Sequence, residues 1–250
     1  MNFLNAQLLA IIFGSLGNVV SFMVFLVPLS TFHKIYKRKS SEGYQFVPYV
    51  VALFSAQLLL YYGLIKTNAA LIISINAIGC VIEIAYIFVF WFYATKKEKM
   101  NLLAFVALLN IIAFGLVVVS TMFASRGAKR VLLVGWMCAV VNVLVFAAPL
   151  SIMRKVIKTK SVEFMPLDLS LCLILCATTW FFYGLCVNDK FIAVPNVVGF
   201  AFGIAQIGLY LKYKESKKES GNERKGPKGE KNEGLQMCDQ VASHDNSHNN

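Results

Sequence analysis

The 250-residue chain is short of charge: Asp, Glu, Lys and Arg make up 15% of it, against about 25% in a soluble domain. It has only three histidines, His33, His244 and His248. All lie in a basic stretch or near the C-terminus, which leaves no Ser/His/Asp arrangement and no HExxH. No glycine-rich nucleotide loop is present either, so an enzyme reading lacks every usual carrier of chemistry. The six cysteines, Cys80, Cys138, Cys172, Cys176, Cys186 and Cys238, contain no CxxC pair and no cluster with histidine. They read as reduced, small apolar side chains, with no metal and no cofactor implied. The net charge of +11 does not point to nucleic acid, because the basic residues are confined to short segments and the tail, where they act as topology signals.

What the chain has instead is apolar sequence: 58% hydrophobic residues and a mean hydropathy of +0.64. It is gathered into blocks of about 20 residues, the length of a bilayer-crossing helix. Seven blocks stand out, at about 5–32, 46–65, 70–94, 102–123, 131–153, 166–187 and 191–213. The first is not read as a signal peptide, since no basic residue precedes it and it is too long. From 214 the sequence turns charged and poor in large apolar residues, so 214–250 is expected to be disordered.

The chain also repeats itself. VFLVPLSTFHKIYKRKSSE (Val24–Glu42) and VFAAPLSIMRKVIKTKSVE (Val145–Glu163) share ten of nineteen positions at a spacing of 121, where chance gives about one. At the same spacing Ser55-Ala56 meets Cys176-Ala177, and Tyr62-Gly63-Leu64 meets Tyr183-Gly184-Leu185. One gap later, Asn76 meets Asn196, each three residues before a glycine. Seven spans with this spacing divide as 3+1+3: a first three-helix repeat over 1–94, a connector over 95–130 and a second repeat over 131–213. An odd unit of three plus one connecting span returns the chain to the same face, so the repeats are parallel.

Lys and Arg number eleven in the segments 1–2, 3–4 and 5–6 and five in the opposite ones. Positive-inside reasoning puts the N-terminus outside and the tail in the cytosol. Within this frame Asn76 and Asn196 are costly in a bilayer unless paired. They read either as interhelical hydrogen bonds or as two amides facing one cavity. Glu83, the one acidic residue well inside a span, lies seven residues past Asn76 and has no repeat equivalent, Gly203 standing there. A paired structural carboxylate is the better reading, with proton coupling as the other.

The motifs FGSLGNVVSF, VPLSTF, KSSEGYQFVPY, YYG, INAIGC, FAAPLSIMR, KSVEFMPL, WFFYG and VPNVVG together resemble the SWEET sugar transporters, the nodulin/saliva family, over about residues 5–213. That family is itself a standard example of parallel repeats about an axis along the membrane normal. FAAPLSIMR with KSVEFMP is most similar to the plant members that favour sucrose. The resemblance implies a facilitative, bidirectional carrier of a mono- or disaccharide, moving sugar down its gradient by alternating access. It also implies a homo-oligomer in the plasma membrane, with an internal membrane such as the vacuole as the other location.

On this resemblance Asn76 and Asn196 bind sugar and Trp180 stacks on it. Leu59 stands where the family often has a second Trp, a departure that leaves the aromatic wall one-sided. Ser21, Ser55, Asn142, Val145 and Cys176 match further pocket positions. Pro28, Pro48, Pro149 and Pro166 match a hinge tetrad near the inner gate, and Tyr62 with Asp189 matches the outer gate. The competing readings are a proton-coupled exporter of a related family and, in another class, a seven-span receptor, against which the internal duplication argues.

Overall fold

The computed structural model describes residues 3–145, 147–160 and 167–223. Every element among them is helical: α1 Phe3–Leu26, α2 Leu29–Arg38, α3 Val47–Ile65, α4 Ala70–Tyr93, α5 Lys96–Val106, a π-helical segment Ala107–Ala113, α6 Phe114–Ala124, α7 Ala128–Val145, α8 Ala147–Thr159, α9 Leu167–Cys186 and α10 Lys190–Glu223. Six stretches are long and apolar enough to cross a membrane, and the apolar helix Ser170–Cys186 is slightly shorter. They fall on the seven expected blocks. Large side chains such as Leu8, Val81, Leu116, Trp136 and Leu144 are exposed along them, as expected of helices whose solvent is lipid.

Several boundaries differ from expectation. The first block does not end near residue 32. It breaks at Val27–Pro28 and continues as α2 to Arg38. Proline lacks the N–H for the usual helix bond, and Val27 N–H bonds instead to Val24 O at 3.1 Å. Helix α2 forms because Phe32 and Ile35 bury one face while the basic residues stay outside, and Lys37 and Arg38 occupy the last turn, where cations suit the helix dipole. The corresponding stretch of the second half is the helix α8. Helix α10 runs ten residues past 213, to Glu223. The rest of the expected disordered tail, 224–250, lies outside the described residues, as does Cys238.

The packing positions the site. Helix α1 lies against α4 and α9, α3 against α4 and α7, and α10 against α9 and α7. Exchanging α1, α3, α4 for α7, α9, α10 maps this set of contacts onto itself. The connecting helix, from α5 through α6, packs mainly on α3. It starts with a capping box in which Thr95 accepts from Glu98 N–H and Glu98 accepts from Thr95 N–H. Ser41, fully buried, donates to the same Glu98 carboxylate at 3.1 Å. The segments 1–2 and 3–4 therefore share one end of the bundle.

Candidate functional site

A cavity of about 210 Å³ opens between the two halves. Of the residues expected there, Ser21, Leu59, Asn76, Asn142, Cys176, Trp180 and Asn196 line it. Among the described residues none of those lining it is charged.

The polar side chains are held in a repeated way. Asn76 donates to Ile72 O at 2.8 Å, Asn142 to Cys138 O at 2.9 Å and Asn196 to Ile192 O at 2.7 Å. Each amide is thus tied to the carbonyl four residues back in its own helix. Asn76 and Asn196 keep a carbonyl oxygen and one N–H for a ligand. Two further bonds join the halves. Ser21 Oγ lies 3.2 Å from Cys176 Sγ, and Ser55 Oγ donates to Asn142 Oδ1 at 3.2 Å. Ser21 and Asn142 are repeat partners, and so are Ser55 and Cys176, so these two contacts are one contact made twice. Ser55 itself stands behind the wall, acting through Asn142, and Val145 is also outside the lining.

Trp180 is fixed from two sides. Its Nε1–H donates to Ser21 Oγ at 2.9 Å, and its ring packs closely on Gly17. A Cβ there would come within 3.0 Å of Trp180 Cε2. Leu59, its repeat partner across the cavity, supplies aliphatic wall where an indole would supply a face.

At one end the cavity is shut. Tyr62, 1% exposed, donates to Asp189 Oδ2 at 2.8 Å, and Lys66 Nζ pairs with the same oxygen. The other oxygen, Asp189 Oδ1, accepts from Phe191 N–H at 3.0 Å, so Asp189 also caps α10. Sequence reasoning took Lys66 for a topology charge. Its position four residues after Tyr62, at the C-terminal cap of α3, was the signal that could have found it. The other missed wall residues are apolar, among them Phe25, Ile75 and Phe191, and nothing in their type distinguishes them from packing residues.

At the opposite end stand the prolines. Pro28 sits in the break between α1 and α2, and Pro48 in the first turn of α3. Pro149 is the third residue of α8, and Pro166 lies outside the described residues. Beside the Pro28 break, Tyr86 Oη donates to Phe25 O at 2.8 Å, holding a carbonyl close to the point where the helix is interrupted.

Comparison with known proteins assigns this architecture. The family described as "sugar efflux transporter for intercellular exchange" matches residues 11–98 and again 132–218, two matches separated by the spacing of the internal repeat. A "bidirectional sugar transporter NEC1" of Petunia hybrida is 60% identical over 86% of this chain and 81% of its own. A "bidirectional sugar transporter SWEET9" of Arabidopsis thaliana is 54% identical over 86% of this chain and 84% of its own. The solved structure of a eukaryotic SWEET transporter superposes with a TM-score of 0.81 at 34% identity, over 84% of this chain and 99% of that one. The chain belongs to the SWEET family of membrane transporters.

Proposed function

We propose that the chain is a bidirectional, facilitative sugar transporter, carrying sucrose and, less selectively, hexoses down their gradients by alternating access. One observation carries the reading: a cavity between two matched halves, lined by the Asn76 and Asn196 amides and the Trp180 indole, with no charged side chain among the described residues. A neutral polyol suits it. Sugar hydroxyls both donate and accept, as amides do, and the C–H face of a ring packs on an indole. An ion would meet no counter-charge in that lining, and its desolvation would go uncompensated.

The closed Tyr62–Asp189–Lys66 end supports assigning this conformation as shut to the outside. Opening it has to break a charge-assisted bond, while the proline-marked ends of α1 and α3 are the places where the other gate would move. The exchange symmetry of the helix contacts supports the 3+1+3 arrangement, with the halves rocking about the cavity. The concentration of Lys and Arg at the proline end supports an outside N-terminus and a cytosolic tail. The relatives' names as bidirectional sugar transporters support the substrate class. We assign the plasma membrane and a homo-oligomer as working expectations of the same reading.

The test is uptake and efflux of labelled sucrose, glucose and fructose in cells lacking their own carriers. Wild type should move sucrose in both directions. Asn76→Ala and Asn196→Ala should each abolish measurable flux at matched surface expression, because each hydroxyl left buried without its partner costs about 1–3 kcal/mol. Near-normal flux in both variants would remove the amide pair from the site.

A further inference from the structure

A second, smaller hollow of about 110 Å³ lies between α9 and α10 on the proline-marked side of the central cavity. The two share Cys176 and Asn196. Along α10 the hollow is lined by Asn196, Gly199, Gly203 and Gln206, and Leu173 of α9 faces them. The spacing of three, four and three residues keeps these α10 positions on one helix face. Gln206 is 5% exposed, and its amide makes no hydrogen bond among the described residues. An amide at the wall of a hollow is open to completion by water or a ligand there, and this hollow shares the side chains of Cys176 and Asn196 with the central cavity.

The hollow belongs to one half only. With the third-span pairing of Asn76 and Asn196, Gln206 is the repeat partner of Tyr86, and Gly203 that of Glu83. In the first half the equivalent place is filled. The Tyr86 ring stacks on Phe32 at 4.4 Å between centroids and lies 5.8 Å from Tyr49, and its hydroxyl is engaged by Phe25 O. In the second half Gly203 lets Ile174 of α9 pack directly on α10, and Gln206 brings an amide in place of a ring to the hollow beside it. Divergence from the repeat has therefore left, on one side only, a mainly apolar recess bordered by the Asn196 and Gln206 amides.

From this we infer that the recess around Gln206 is a second sugar subsite, which receives the distal ring of a disaccharide while its other ring lies between Asn76 and Asn196. The inference rests on the sugar-transport reading of the central cavity. Ten residues of α10 separate Asn196 from Gln206, about 15 Å of helix. Two linked sugar rings, together with the reach of the two amides, cover that length. Gln206 Nε2–H donates to a ring hydroxyl and Oε1 accepts from another. A monosaccharide is held by the central amides and leaves the recess empty, so Gln206 governs the choice of disaccharide over hexose and not transport as such.

The experiment measures binding of sucrose, maltose and glucose to the purified full chain, together with uptake in cells, for wild type, Gln206→Leu, Gln206→Asn, Leu173→Phe and Asn196→Ala. Gln206→Leu should weaken disaccharide binding at least about fivefold, the net worth of two weak neutral hydrogen bonds, and change glucose binding by less than about twofold. Gln206→Asn, which keeps a shorter amide, should fall between. Leu173→Phe, which fills the recess from the other wall and leaves Gln206 in place, should give the same disaccharide-selective loss. Asn196→Ala should weaken all three sugars. Equal losses for disaccharide and hexose in the Gln206 and Leu173 variants, or no loss, would overturn the subsite. A wild type that binds glucose but neither disaccharide overturns it while leaving the central site standing. A wild type that binds no sugar overturns both.

Discussion

Trp180 is held by a hydroxyl on one side and a glycine on the other, whereas Leu59 opposite it is held by nothing but packing. Substitutions at the two positions should therefore differ. Trp180→Ala removes the one aromatic face and should weaken sucrose affinity at least tenfold. Leu59→Ala removes aliphatic wall only, without loss of an aromatic face, and should cost less than Trp180→Ala, a graded effect of the kind apolar walls give. Leu59→Trp should tighten binding by supplying a second face. Measured sucrose affinities for the three variants decide it, and equal damage from both alanines would deny Leu59 a place against the sugar. Single residues were legible where they repeat. The asparagine pair was visible because two costly amides recur at one spacing, whereas Trp180 and Ser55 entered only through the family resemblance. Ser55 is the instructive case: the resemblance implied a wall, but its hydroxyl is taken up by Asn142, and no sequence records which partner a hydroxyl chooses. Lys66 was misread for the converse reason, since a cation near a span end serves topology and an ion pair equally well.

Among the elements, composition located every span because a bilayer demands about twenty apolar residues whatever else they do. It did not locate the π-helical segment at Ala107–Ala113. There an extra residue per turn carries Asn110 inward to donate to Val50 O at 3.3 Å, and none of the seven residues is a helix breaker. The break at Pro28 was legible, being proline, but its reinforcement was not. Tyr86 reaches from α4 to Phe25 O, a contact between residues 61 positions apart. If that bond holds the broken end of α1 in one geometry, Tyr86→Phe should loosen the proline-marked end without removing any side chain that lines the cavity. We expect a stability loss of about 1 kcal/mol, the net worth of a buried hydrogen bond, and an altered transport rate with sugar affinity within about twofold of wild type. Pro28→Ala should restore the missing N–H, straighten α1 into α2 and lower the rate further, again at near-constant affinity. Thermal unfolding and concentration-dependent uptake of the two variants separate rate from binding. A Pro28→Ala protein with full rate would mean that the break is not a hinge.

For the molecule as a whole, the decisive asymmetry lies in where its two buried clusters sit. One gathers Tyr62, Ile72, Val134, Tyr183 and Phe191 from both halves around the shut end. The other gathers Phe32, Ile35, Val50, Tyr86, Phe90 and Leu102 from the first half and the connector alone. Among the described residues the halves are thus joined across the Tyr62–Asp189 end, while the cluster at the proline-marked end is built from the first half and the connector, which suits a pair of bodies that part at the proline-marked end. Glu83 lies within the first half, near the second of these clusters. It is 4% exposed, and its Oε2 has no hydrogen-bond partner among the described residues. It lines neither the central cavity nor the recess, so a proton held there does not share a compartment with the sugar. Coupling requires differential binding of the two ligands to the same pair of states, and among the described residues the cavity's lining offers no titratable carboxylate to provide it. Flux should therefore equilibrate sugar without concentrating it. In cells that do not metabolise the label, internal sucrose should rise to the external concentration and stop there, at pH 5 and at pH 7.5 alike. Glu83→Gln should reach the same plateau, with any loss confined to expression. A plateau several-fold above the external concentration that collapses with a protonophore, and that Glu83→Gln abolishes, would make the buried carboxylate the coupling group and the protein a proton-driven carrier.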